Sequence, residues 1–219
     1  MIKDAHSKRL IEVISPNDNR LFLIPKYQRG YAWEEKQWID FVQDIDALID
    51  DKIISHYTGT IVIYQPSNKP TENYGTKRLE IVDVVDGQQR LTTCSLYLSI
   101  IIKELIKISQ EDFNAEIPIY LYSGSKSKLR LNNDSADFYL DLISKGVSNI
   151  EANSVHQKRI YDAYCFLKKH IEEQLAKRVD NNRFYASQKS CVTAAFKTKI
   201  LKCLDPKTLY KRVFKCNGA

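Results

Sequence analysis

Hydrophobic positions along the chain change their period several times, and each change marks an element. Residues 7–14 (SKRLIEVI) suggest a short helix with Ser7 as its N-cap. The cluster Ser15-Pro16-Asn17-Asp18-Asn19 reads as a turn. Residues 21–25 (LFLIP) form a short apolar run ended by Pro25, which suggests a buried strand. Trp38, Phe41, Val42, Ile45, Leu48 and Ile49 then recur at helical spacing. Glu34 and Glu35 stand at the start of that helix, where negative charge suits the dipole. Residues 56–64 (HYTGTIVIY) alternate and are rich in β-branched side chains, so a strand is predicted. Gly59 within it marks a bulge or a close ligand approach. A polar loop of 14 residues, 65–78, leads to a second strand at 79–85, a hairpin with an extended tip.

From Gln89 to Ser109 the chain is apolar nearly all round. Leu91, Cys94, Leu98, Ile101, Ile102 and Leu105 make one face, while Leu96, Ile100 and Ile106 crowd the others. A helix of that kind is buried on every side, so it is expected at the centre of the fold. Residues 117–122 and 128–132 read as two more strands around a Ser-Gly-Ser turn. Ser135–Lys145 reads as a helix ended by Gly146, and Ser154–Arg178 as a longer helix carrying Ile160, Tyr164, Leu167, Ile171 and Leu175. Residues 189–203 retain only a weak helical pattern. The expected fold class is α+β: a core over residues 1–125, a helical extension over 126–180 and a basic tail over 181–219.

Composition narrows the setting. Apolar content of 43% and charged content of 27% over 219 residues are those of a globular protein with chain enough for a sizeable core. No apolar run approaches the roughly 20 residues that span a bilayer. The opening residues, MIKDAHSKRL, contain no apolar signal segment, so a cytoplasmic location is expected. Five cysteines without a C-x-x-C pair point to reduced thiols, and four dispersed histidines argue against a His-based metal site. The net charge of +6 is uneven: from Ala176 onward there are eleven Lys/Arg against two Asp/Glu, leaving the rest of the chain at −3. A basic end of this kind either contacts nucleic-acid phosphates or is simply solvated.

Two stretches carry candidate chemistry. In residues 81–93 (IVDVVDGQQRLTT) a strand stops at Asp86-Gly87, and Gln88, Gln89 and Arg90 open the central helix. Gly87 permits positive φ or close ligand approach. The helix start offers free N–H groups, and an arginine in its first turn favours phosphate or carboxylate. The plain alternative is a strand–turn–helix connection whose polar residues cap the helix. Residues 26–33 (KYQRGYAW) gather aromatic, cationic and amide side chains around Gly30, and Trp33 suits a core plug. The two Gln-Arg pairs, Gln28-Arg29 and Gln89-Arg90, suggest one shared anionic ligand.

Taken in order, IPKYQRGYAW (24–33), YTGTIVIY (57–64), VDGQQRLTT (85–93) and LRLNNDSADFY (129–139) resemble the N-terminal domain of GmrSD-type, modification-dependent restriction endonucleases. The resemblance covers roughly residues 7–178. It implies a ParB/sulfiredoxin-like fold, in which a small mixed sheet packs on a buried helix and a helical region follows. It also implies binding and hydrolysis of a nucleoside triphosphate with Mg²⁺, coupled to attack on modified DNA, commonly that of phage. The D-G-Q-Q-R motif, here Asp86 to Arg90, would be the nucleotide-handling element, with Tyr27, Gln28, Arg29 and Gly59 in the same pocket.

Side-chain chemistry suggests the roles. Arg29 and Arg90 would clamp phosphate oxygens, Gly87 and the following N–H groups would cradle them, Gln88 or Gln89 would orient the attacking water, and Asp86 would hold Mg²⁺. A binding module without turnover remains the alternative. The family's downstream Phe-Glu…Asn-x-x-Gly segment and H-N-H nuclease domain have no counterpart before the final LYKRVFKCNGA, so DNA cleavage is not expected of these 219 residues.

Overall fold

The structure is a computed structural model that describes residues 4–9, 13–14, 19–50, 56–108, 113–132, 134–148, 150–182 and 209–217. In order, the elements are β1 (Asp4–Arg9), β2 (Arg20–Leu23), α1 (Glu35–Ile49), β3 (His56–Tyr57), β4 (Ile61–Gln65), β5 (Thr71–Tyr74) and β6 (Lys77–Asp86). Then come α2 (Gln88–Ile108), a 3-10 turn (Asn114–Glu116), α3 (Ile117–Tyr120), β7 (Tyr122–Ser123), β8 (Lys126–Ser127), β9 (Leu129–Arg130), α4 (Ser135–Lys145), α5 (Val155–Asn182) and β10 (Leu209–Asn217). The architecture is α+β, as the sequence predicts.

A mixed sheet runs in the order β1-β10-β4-β6-β2-β9, with β3 beside β10 and β5 beside β6. The strands expected at 21–25, 56–64 and 79–85 are therefore neighbours, with β4 antiparallel and β2 parallel to β6. Ile61, Ile63, Val82, Val84 and Phe22 point from this sheet into one core with α2. Residues 91–102 of α2 are all buried, and α1, α4 and α5 pack apolar residues into the same core. Burial on every side explains why that helix shows no polar stripe.

Several expectations change. Residues 7–9 lie in strand β1 and not in a helix, paired in antiparallel register with β10. Residues 117–120 form the short helix α3, with Pro118 in its first turn, and strand begins only at Tyr122. Proline lacks the N–H a sheet ladder needs but is at home at a helix start. The loop after β4 carries a strand of its own, β5, which returns on β6 through the Gly75 turn. Residues 209–217 of the basic tail form β10, between β1 and β4. The turn residues 15–18 and the weak helix at 189–203 lie outside the described residues. Among the described residues no helix is long and apolar enough to cross a membrane.

Lys103 sits at the junction of α2, α4 and α5. Its ammonium donates to Leu142 O and to the Tyr164 hydroxyl, each at 3.3 Å. Burial, with Lys107 adding repulsion, pushes it down to about 8 from the ordinary 10.5. Its desolvation therefore costs stability below about pH 8, and that cost fades as pH rises toward 10.5, where the unfolded chain also loses the proton. Lys103→Met should melt above wild type at pH 7 and lose that advantage by about pH 10 in a pH series of thermal melts.

Candidate functional site

The site grows out of the turn between β6 and α2. Gly87 has φ +84°, and a Cβ there would lie 2.9 Å from Ile61 Cγ1 and 3.0 Å from Thr60 O. The glycine thus lets β4 close against the turn, and it lines neither of the two cavities described below. Asp86 stays exposed, with Oδ1 accepting the Gly87 N–H at 2.8 Å.

The next two residues turn their amides onto the 26–33 loop. Gln89 Nε2 donates to Gly30 O at 3.1 Å, and Gln89 Oε1 accepts from Ala32 N at 2.8 Å. Gln88 Nε2 donates to Arg29 O at 3.1 Å. Both side chains are more than 90% buried, so these bonds replace water rather than compete with it. The loop is fastened elsewhere too. Gln28 Nε2 donates to Val85 O at 2.9 Å, and Asn132 Nδ2 donates to Gln28 O at 2.6 Å.

His156 Nδ1 lies 3.2 Å from Tyr31 O, and its ring covers Gly30 so closely that a Cβ there would fall 2.4 Å from Cγ. Behind the loop, Trp38 Nε1 donates to the Tyr31 hydroxyl at 3.0 Å. Since Thr93 gives its own proton to Gln89 O, the Tyr31 O–H donates to Thr93 Oγ1 at 2.8 Å. Burial pushes the Tyr31 phenol up, only partly offset by its bonds to Thr93 and Trp38. It stays protonated as a donor.

Two cavities flank this clamp. A small one of about 10 Å³, room for one water, is lined by Arg29, Gln88, Gln89, Thr92, Asn132 and Ser135 among others. The buried Gln88 Oε1 has no partner and is an acceptor such a water would satisfy. A larger cavity of about 390 Å³ is lined by the aromatic residues Trp33, Phe41 and Tyr57, by Asp40, Asp44 and His56, and by Gly59 and Arg90.

Arg90 donates from Nη1 to Thr60 O at 3.0 Å and forms no ion pair among the described residues. Gly59, at φ +100°, leaves space for the guanidinium: a Cβ there would lie 2.7 Å from Arg90 Cζ. Gly59 is therefore a close approach, but to a side chain of this protein. The buried Thr58 Oγ1 also lacks a partner.

The motif residues are thus brought together around one loop, yet they divide between two cavities. Arg29 lines the small one and Arg90 the large one, so the two arginines face different cavities, while Gln89 lines the small one with Arg29. Tyr27 is 74% exposed and lines neither. Gln89 lines the small cavity too, but one bond from each of its amide atoms ties it to the loop.

Sequence reasoning passed over Asp40, Asp44, His56, Asn132 and His156 as site residues. Asp40 and Asp44 read as the solvated face of an amphipathic helix, and nothing in a sequence links His156 to a glycine 126 positions earlier. No group of three or more His, Cys, Asp and Glu side chains among the described residues could hold a metal.

Comparison with known proteins identifies the family. No curated protein matches the chain. The family model described as GmrSD restriction endonuclease, N-terminal domain, matches residues 10–213, which includes every clamp and cavity residue named above. With nearly its whole length matched, the chain belongs to the GmrSD restriction endonuclease N-terminal domain family, and its role lies in a restriction system.

Proposed function

We propose that this domain binds and hydrolyses a nucleoside triphosphate in the cavity beside Arg90, and that this reaction regulates an attack on DNA, with modified phage DNA as the target. The carrying observation is Arg90: a guanidinium with no carboxylate partner among the described residues, held by Thr60 O at the wall of a 390 Å³ cavity. An un-neutralised guanidinium in a recess is suited to a phosphate. The volume falls in the range of small-molecule sites, and Trp33, Phe41 and Tyr57 offer flat apolar surface to a base. Arg29 lines the other cavity, so Arg90 is the cation on which this reading relies.

Magnesium binds through one or two carboxylates together with phosphate oxygens, so a preformed cluster is not required. Asp86, with one oxygen free, and Asp40 in the larger cavity are the carboxylates that fit it, since Asp44 is already paired with His56. Such an ion would neutralise phosphate charge. A sensor that binds nucleotide without turnover is the second reading, favoured by the commitment of Gln89 to the loop.

A panel of nucleoside triphosphates read by thermal shift, with and without Mg²⁺, tests the first claim, and phosphate release separates the two readings. At least one nucleotide should raise the wild-type midpoint. Arg90→Ala should stay folded and bind about ten- to hundred-fold more weakly, since a charge-assisted hydrogen bond contributes about 1.5–3 kcal/mol. A panel that leaves wild type unmoved would end the proposal.

A further inference from the structure

We infer that His56, oriented by Asp44, is the proton acceptor for the attacking water in the Arg90 cavity. The inference rests on the proposed nucleotide hydrolysis and assigns a role to residues outside both sequence motifs. His56 Nε2 lies 3.0 Å from Asp44 Oδ2, and both residues line the cavity that holds Arg90. Their side chains are 26% and 46% exposed, so the pair is accessible to water. With Nε2–H donated to the carboxylate, the imidazole is fixed in the tautomer that leaves the Nδ1 lone pair free. Nδ1 has no partner among the described residues. His56 also precedes by only four residues Thr60, whose carbonyl holds Arg90. At about 3.3–3.6 Å per residue the two Cα atoms are no more than about 14 Å apart.

The remaining candidates for the base are weaker on geometry. Gln88 and Gln89 both line the other cavity, and Gln89 is tied to the loop through both amide atoms. A second His–Asp pair is a useful contrast. His170 Nε2 lies 3.2 Å from Asp46 Oδ1, Gln174 Nε2 holds the other carboxylate oxygen at 3.2 Å, and none of the three lines either cavity. That pair fastens α5 to α1. The Asp44–His56 pair instead faces open space, with the unpartnered Thr58 Oγ1 among the lining residues.

In the reaction, the water oxygen bonds to the terminal phosphorus. The bond from that phosphorus to the bridging oxygen breaks, and its electron pair leaves on the nucleoside diphosphate. The water proton passes to His56 Nδ1, and the imidazolium, stabilised by Asp44, returns it to solvent.

His56→Ala in the full 219-residue chain tests this, with turnover followed by phosphate release and binding followed by thermal shift. The expected result is a fall in kcat of about 100-fold or more, the usual contribution of a general base, with the nucleotide-induced shift retained. Added imidazole should restore part of the lost rate to His56→Ala and none to Arg90→Ala, a rescue that a purely structural histidine would not show. Unchanged kcat in His56→Ala overturns the assignment and leaves the nucleotide site standing. So does a wild type that binds nucleotide without releasing phosphate. A wild type that binds no nucleotide removes the underlying reading and this one with it.

Discussion

Gln89→Leu is expected to lower stability by about 2–4 kcal/mol, and Gln88→Leu by less than about 1 kcal/mol, although the two residues are adjacent and equally buried. Gln89 satisfies two backbone groups, Gly30 O and Ala32 N, with its two amide atoms. Leucine fills the volume but leaves one acceptor and one donor without partners, each costing about 1–3 kcal/mol when buried. Gly30 and Ala32 are only partly buried, which keeps the sum toward the lower half of that range. Gln88 also loses a bond, to Arg29 O, but leucine there removes an acceptor that is already buried and unpaired. For a chain of this size the Gln89 loss is a drop of roughly 5–15 °C in Tm. Thermal melts of the two variants decide the matter: equal losses would mean that the clamp is not asymmetric in the way the hydrogen bonds indicate.

Gly87→Ala should cost about 2–4 kcal/mol, against about 1 kcal/mol for Gly124→Ala. Both glycines have positive φ, +84° and +58°, so both substitutions introduce left-handed strain of about 1–2 kcal/mol. Only at Gly87 does the new Cβ meet other atoms, Ile61 Cγ1 and Thr60 O, whereas nothing lies within 4 Å of it at Gly124. Backbone cannot retreat as a flexible side chain can. The carbonyl that must move at Thr60 is the one that holds Arg90, so Gly87→Ala should also weaken the nucleotide-induced thermal shift. A Gly87→Ala protein as stable as Gly124→Ala would show that β4 does not press on the turn.

The local chemistry of the sequence carried the fold a long way. The all-round apolar pattern after Gln89 marked the central helix because burial on every side removes any need for a polar stripe. Gly146 marked the end of α4, where it stands at φ +82°. Failures came where one residue outweighs a pattern: Pro118 turned an apparent strand into helix, and pairing with a distant segment drew residues 7–9 into a sheet.

The same division holds for the candidate site. The D-G-Q-Q-R and Y-Q-R stretches were legible as a unit, and the structure joins them through side-chain bonds to backbone. A side chain that bonds a distant carbonyl leaves no periodic trace, so the commitment of Gln88 and Gln89 to the loop was invisible. Asp44 and His56 were invisible for a related reason. Their pairing is a product of where α1 lies against the start of β3.

The fastening of the 26–33 loop also governs when the site comes into being as the chain folds. Its bonds reach to residues 57, 59, 104 and 125 positions away in sequence, and the last of these comes from the start of α5. Contacts of such separation form late, because loop-closure entropy must be met before they contribute anything. A nascent chain that has already assembled β2 and α1 would still hold the loop unfastened on its His156 side. Ligand capacity would then report completion of the whole domain, and partly folded copies would be silent. On the proposed reading, a regulatory domain that acquires its ligand site only on finishing its fold carries a safeguard in its topology.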